Sequence, residues 1–203
     1  MKRFLLALKF LTIIPVPGKL GTYSPDNVGG SLRYFPLVGA LIGVILCLVA
    51  FAAGAMPGLA VAALLLAASF ILTGGIHIDG FADTCDGLCS GKAKDGILKI
   101  MRDSHIGAMG TACVVIILFL KLSLIAAMPS DLLWRSLILM SIFSRWSQAL
   151  SCAVSTYARK KGKAELFIAN ANHKDILVGG LFTLFIFFVL GGFGGIVVFS
   201  FAL

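Results

Sequence analysis

Charge is scarce in this 203-residue chain. Asp, Glu, Lys and Arg together make up 13% of it, and only nine residues are acidic. A soluble domain carries about 25% charged and about 45–50% apolar residues. Here 59% are apolar and the mean hydropathy is +1.02. That composition excludes an ordinary cytosolic enzyme, because a core of this size cannot enclose so much apolar surface and the excess has to face lipid. It also excludes a disordered chain, which needs low hydrophobicity and high charge. Five cysteines do not make a disulfide scaffold. Cys47, Cys113 and Cys152 fall inside apolar stretches, where a thiol behaves as a small hydrophobe. Cys85 and Cys89, with His77 nearby, lack the further ligands of a zinc site and are read as reduced thiols.

What is abundant is apolar sequence in long runs. A membrane-spanning helix needs about 20 mainly apolar residues. Five stretches approach that length: Tyr34–Met56, a short Leu59–Leu72, Ile106–Met128, Leu132–Ser155 and Ile176–Leu203. Met56-Pro57-Gly58 and Met128-Pro129-Ser130-Asp131 break the helix between the first and last two pairs of the leading four, which predicts two helical hairpins. Without strand alternation or long-period repeats, the expectation is an all-α, polytopic membrane bundle. It forms a single domain over 1–203, with an interfacial segment over 1–33 and a cytoplasmic acidic loop over 73–105. Phe4–Ile14 is interrupted by Lys9 and precedes no small-residue cleavage site, so an interfacial helix ending by Pro15 is expected rather than a signal peptide. A second interfacial helix is expected over Asp95–Met101.

The net charge of +8 then acquires a simple meaning. Fourteen of the 17 basic residues lie before the first run, between the second and third, or between the fourth and fifth, and the two hairpin turns hold none. The positive-inside rule places those segments in the cytoplasm. A topology signal therefore accounts for the charge, and nucleic acid is not an expected partner.

The informative stretch is Thr73-Gly74-Gly75-Ile76-His77-Ile78-Asp79-Gly80-Phe81-Ala82-Asp83-Thr84-Cys85-Asp86-Gly87-Leu88. Asp79, Asp83 and Asp86 stand at i, i+4 and i+7, which on a helix confines them to a sector of about 60°. Three carboxylates on one face repel unless a cation sits among them. All-oxygen ligation favours magnesium, manganese or calcium over zinc. Gly74 and Gly75 allow close approach of a metal-bound phosphate ester. In Met101-Arg102-Asp103-Ser104-His105, Asp103 is placed to extend the metal site and Arg102 or His105 to meet phosphate; Asp103 and Ser104 are equally placed to cap the next helix. In the fourth run, Ser141, Ser144, Arg145, Gln148, Ser151 and Ser155 share one helical face. An arginine this deep in an apolar run is expected to meet an anion in a polar cavity. Arg159 opens a basic run beside anionic lipid, where it is also placed to guide a polyphosphate.

These blocks, in this order, resemble the cobalamin synthase family of adenosylcobinamide-GDP ribazoletransferases. The resemblance rests on Phe10-Leu11-Thr12 with Pro15-Val16-Pro17, on Tyr34-Phe35-Pro36-Leu37-Val38-Gly39, and above all on the Gly-Gly-x-His-x-Asp-Gly-x-x-Asp-x-x-Asp-Gly block from Gly74 to Gly87. Met101–Gly107, Ser144-Arg145-Trp146 and Tyr157-Ala158-Arg159 complete it. It implies a magnesium-dependent enzyme of the prokaryotic cytoplasmic membrane that joins adenosylcobinamide-GDP to alpha-ribazole or its 5′-phosphate and releases GMP. Asp79, Asp83 and Asp86 are then expected to hold Mg2+ with Asp103, and one aspartate or His77 to act as base. Arg102, His105, Arg145, Arg159, Gly74 and Gly75 are expected to contact substrate. Family members run further, with another glycine-rich stretch bearing an aspartate, so a shortened chain is expected here; Ile13 replaces a usual basic residue. The rival class is a CDP-alcohol phosphotransferase, but Asp83-x-x-Asp86-Gly87 continues as Leu88-Cys89-Ser90-Gly91 without the Ala-Arg of that signature. A cation transporter, with the aspartates as a selectivity ring, is the remaining alternative.

Overall fold

The computed structural model describes residues 2–16, 24–159, 162 and 164–201. Pro17-Gly18, the topology charges Lys19, Lys160, Lys161 and Lys163, and the final Ala202 and Leu203 lie outside the described residues. Every regular element among the described residues is helical. Among the described residues, four helical stretches are long and apolar enough to cross a membrane: 25–52, Ala108–Ala126, Ser130–Val154 and 173–200. The pair Gly58–Thr73 and Ile76–Cys89 supplies a fifth crossing if its bent halves count as one span. The chain divides into two compact units, 1–48 with 129–203, and 49–128.

The first unit is built on α1 (Lys2–Leu11), α2 (Pro25–Gly29), a 3-10 turn (Leu32–Tyr34) and α3 (Phe35–Ala52, all but its last turn), followed by α8 (Ser130–Val154), α9 (Glu165–Ala169) and α10 (His173–Phe201). The expected N-terminal helix is present, with Leu6, Ala7, Leu8 and Leu11 buried. Phe10 and Phe35 meet Phe167 of α9 at ring-centroid distances of 4.3 and 5.8 Å. Between α3 and α8 the contact is backbone to backbone. A Cβ on Gly39 would run into the Ser141 carbonyl, and one on Gly43 would lie 2.7 Å from Ile138 Cα. Only small residues permit that approach between membrane helices. An Arg33–Asp175 ion pair at 2.5 Å joins the 3-10 turn to the start of α10.

The fifth apolar run is expected as one straight span, and here the structure differs. α10 breaks at Gly192, whose φ of 59° and ψ of −147° belong to a region open essentially to glycine alone. The shorter leg folds back. Phe199 and Phe187, which a continuous helix would separate by about 18 Å, have ring centroids 5.5 Å apart. Phe199 also reaches Trp146 at 5.1 Å and Phe143 at 6.0 Å. Hydropathy registers the length of an apolar run and is blind to a reversal within it.

The second unit holds α4 (Gly58–Thr73), α5 (Ile76–Cys89), α6 (Lys94–Ile100) and α7 (Ala108–Ala126). The acidic segment over 73–105 is largely two helices: α5, which bears the aspartates, and α6, which stands where a short helix is expected over Asp95–Met101. α4 stops at two successive left-handed glycines, Gly74 (φ 61°) and Gly75 (φ 69°), whose amides donate to the Ile71 and Phe70 carbonyls. The chain leaves this double turn bent by 92°, which separates the short second run from the aspartate helix. α7 packs along both α4 and α5.

Candidate active site

α5 carries the acidic set as one face. Asp79, in its first turn, is exposed; Asp83 and Asp86 are half-buried. The first turn is a favourable place for a carboxylate, because unsatisfied amides make that end of a helix electropositive. No Lys or Arg lies between 73 and 91, so α5 itself supplies no counter-charge. The counter-charge for Asp86 comes from elsewhere. Its Oδ2 accepts the Gly107 amide and its Oδ1 the Gly110 amide, each at 2.7 Å. Asp86 thus caps α7, the role left open above for Asp103 and Ser104. Asp103 turns instead to its own loop: the His105 amide donates to its Oδ1 at 3.1 Å, and His105 Nδ1 lies 2.6 Å from the same oxygen. That ring contact holds the Asp103 carboxyl below its ordinary pKa. Arg102, Asp103 and His105 are all exposed, and His77 is half-buried.

Among the described residues, no three His, Cys, Asp or Glu side chains converge as a ready-made metal cage. The donor chemistry nevertheless fits a hard cation. Magnesium usually keeps several waters and takes one or two carboxylates, the remaining positions going to substrate phosphates. Asp79 and Asp83, one turn apart on the same face, are suited to hold it, and the carboxylates of Asp86 and Asp103 keep lone pairs beyond the hydrogen bonds described.

The other unit places Arg145 in the middle of α8, 7% exposed. Its Nη1 donates to Ser144 Oγ at 3.0 Å, while its Nε is buried without a hydrogen-bond partner among the described residues. The flanking serines do not compensate it. Ser144 and Ser151 of that stripe donate back to carbonyls of their own helix, which makes it chiefly packing polarity. Arg159 is half-buried beyond the end of α8. Sequence reading overlooked the Gly107 and Gly110 amides and the Arg33–Asp175 pair. The available signal was the glycine spacing at the entry to an apolar helix, whose first amides need partners from somewhere.

Comparison with known proteins brings these features under one description. A family model described as cobalamin-5-phosphate synthase matches residues 3–203. A Roseiflexus sp. (strain RS-1) protein named adenosylcobinamide-GDP ribazoletransferase is 35% identical over 192 residues, covering 94% of this chain and 71% of its own length. Relatives of the same name from Alkaliphilus metalliredigens and Geotalea daltonii are 36% identical over 184 residues and 34% over 197. They cover 90% and 97% of this chain, and 73% and 79% of their own lengths. No solved structure matches. The relatives are named as transferases, the fold is built of helices apolar enough to cross a membrane, and the chain belongs to the cobalamin-5-phosphate synthase family.

Proposed function

We propose that this chain joins adenosylcobinamide-GDP to alpha-ribazole or its 5′-phosphate, releasing GMP and forming adenosylcobalamin or its 5′-phosphate. Its site is the prokaryotic cytoplasmic membrane, and the distribution of basic residues favours a cytoplasm-facing α5. The observation that carries the reading is the pairing of Asp79 and Asp83 on one face of α5, in a chain of this family.

In this reading Asp79 and Asp83 hold Mg2+. Bound there, the ion neutralises charge on the diphosphate and on the departing GMP. A ribose hydroxyl oxygen of alpha-ribazole forms the new bond to the corrinoid-side phosphorus. The bond from that phosphorus to the GMP oxygen breaks, and the hydroxyl proton passes to a neighbouring base. His77 and the α5 carboxylates are the groups of this unit suited to accept it. Arg102 and His105 meet phosphate oxygens; the Gly74 and Gly75 amides are taken by the Ile71 and Phe70 carbonyls, so the double turn serves by aiming α5. Arg145 and Arg159, in the other unit, are separate anion ligands, Arg145 being tested by its own substitution below.

Purified protein in detergent, given adenosylcobinamide-GDP, alpha-ribazole phosphate and Mg2+, is expected to release GMP. Asp79→Asn and Asp83→Asn are each expected to abolish that release while eluting and unfolding as the parent does. Near-normal turnover in both variants would overturn the assignment, and ion flux in liposomes without nucleotide chemistry would favour a transporter.

A further inference from the structure

We infer that Asp86 is a positioning residue: its carboxylate straps the start of α7 to α5 and so fixes the loop that presents Arg102, Asp103 and His105. Holding the metal is left to Asp79 and Asp83.

The strap is short and built from both sides. Two amides reach the two carboxylate oxygens at 2.7 Å, at the short end for N–H···O bonds and typical of an ionised acceptor. Both donors are glycines because nothing larger fits. A Cβ on either Gly107 or Gly110 would run into the Asp86 carboxylate, and one on Gly110 would also lie 2.8 Å from the Ala82 carbonyl oxygen. The adjoining residue secures the opposite end of the same segment. Gly87 lies against Ile97 and Met101, with a built Cβ 3.0 and 3.1 Å from their side chains. Residues 86 and 87 therefore pin both ends of the exposed stretch 102–106 to the helix bearing the acidic face. With each oxygen engaged by an amide at a helix N-terminus, the Asp86 charge is partly offset without a metal ion. A magnesium ion needs no third protein carboxylate.

The catalytic consequence rests on the function proposed above; the strap itself does not. Two measurements keep them apart. Hydrogen exchange on metal-free, substrate-free protein in detergent reads the strap directly. Asp86→Ala and Gly107→Ala are expected to speed exchange of the 107–110 amides roughly tenfold, and Asp86→Asn, which keeps one acceptor oxygen, by less. Magnesium titration of GMP release reads the division of labour. Asp86→Asn and Gly107→Ala are expected to lower kcat together and leave the half-saturating Mg2+ concentration in place. Asp83→Glu, which keeps a carboxylate but displaces it, is expected to raise that concentration about tenfold or more. Unchanged amide exchange in Asp86→Ala would refute the strap; if that variant does not fold, Asp86→Asn and Gly107→Ala decide by the same criterion. A magnesium requirement raised by Asp86→Asn but not by Gly107→Ala would make Asp86 a metal ligand after all. Absent GMP release from the parent protein would remove the proposed function, and the exchange measurement would still decide the strap.

Discussion

Replacing Gly39 with alanine tests the close crossing of α3 and α8. The added Cβ would collide with the Ser141 carbonyl oxygen and lie 2.8 Å from Ile142 Cα and 2.9 Å from the Ser141 carbonyl carbon. Non-bonded carbons settle at about 3.5–4.0 Å, so α8 must retreat by roughly 1 Å along the crossing. All three obstacles are backbone atoms, and no rotamer change relieves them. Overpacking of this kind costs about 1–3 kcal/mol. Alanine returns at most about 1 kcal/mol through its better helix propensity. The balance is a loss of about 1 kcal/mol, or about 2–4 °C in Tm for a chain of this size. Gly191→Ala is the matched control, since nothing lies within 4 Å of a Cβ there and only the propensity gain applies. Thermal unfolding in detergent, followed by near-ultraviolet circular dichroism, is expected to rank Gly191→Ala at or above the parent, Gly39→Ala below it and Gly39→Leu lowest. A Gly39→Ala protein as stable as the Gly191→Ala control would refute the crossing.

Asp175→Asn is expected to cost about 2 kcal/mol, below the range for fully buried pairs because the Arg33 side chain is 33% exposed. The double variant Arg33→Met with Asp175→Leu should recover most of that in the same unfolding assay; singles as stable as the double would contradict the pair's role. Arg145→Met removes a buried guanidinium that has no carboxylate partner among the described residues. It is therefore expected to hold or raise Tm while raising the KM for adenosylcobinamide-GDP; unchanged KM would remove Arg145 from the anion ligands. His105→Ala is expected to move the Asp103 titration midpoint upward, because the histidine contact is what depresses it. In the parent the Asp103 side of that contact is lost as pH falls through the depressed value and the carboxyl takes up its proton. A carboxyl-carbon NMR titration that finds the same midpoint in both proteins would count against the contact.

Much of this architecture is legible in the sequence because lipid imposes length and composition directly. The runs around 34–56, 106–128 and 132–155 appear as α3, α7 and α8 with boundaries shifted by a few residues. Asp79, Asp83 and Asp86 share a face for the reason their spacing predicts. The departures are local and three-dimensional. Nothing in apolar periodicity marks the Gly192 reversal, since doublets such as Gly191-Gly192 serve equally for close packing. The identity of the α7 cap was equally hidden: Asp103 and Ser104 are nearer in sequence, but the acceptor came from Asp86, 21 residues before Gly107. Local capping rules favour neighbours in the chain, whereas a folded hairpin offers neighbours in space.

The double glycine turn between α4 and α5 has a geometric consequence for the acidic face. Were α4 set across the bilayer, the 92° bend would lay α5 along the membrane surface. Asp79 and Asp86, seven residues apart, are then spread laterally by about 10 Å at a single depth and do not descend in steps into the hydrocarbon. In that setting no carboxylate has to be carried into the apolar layer, and under the function proposed above a diphosphate lying flat on the surface would meet the row along its length. Straightening that turn would keep every acidic residue and turn a shelf into a shaft.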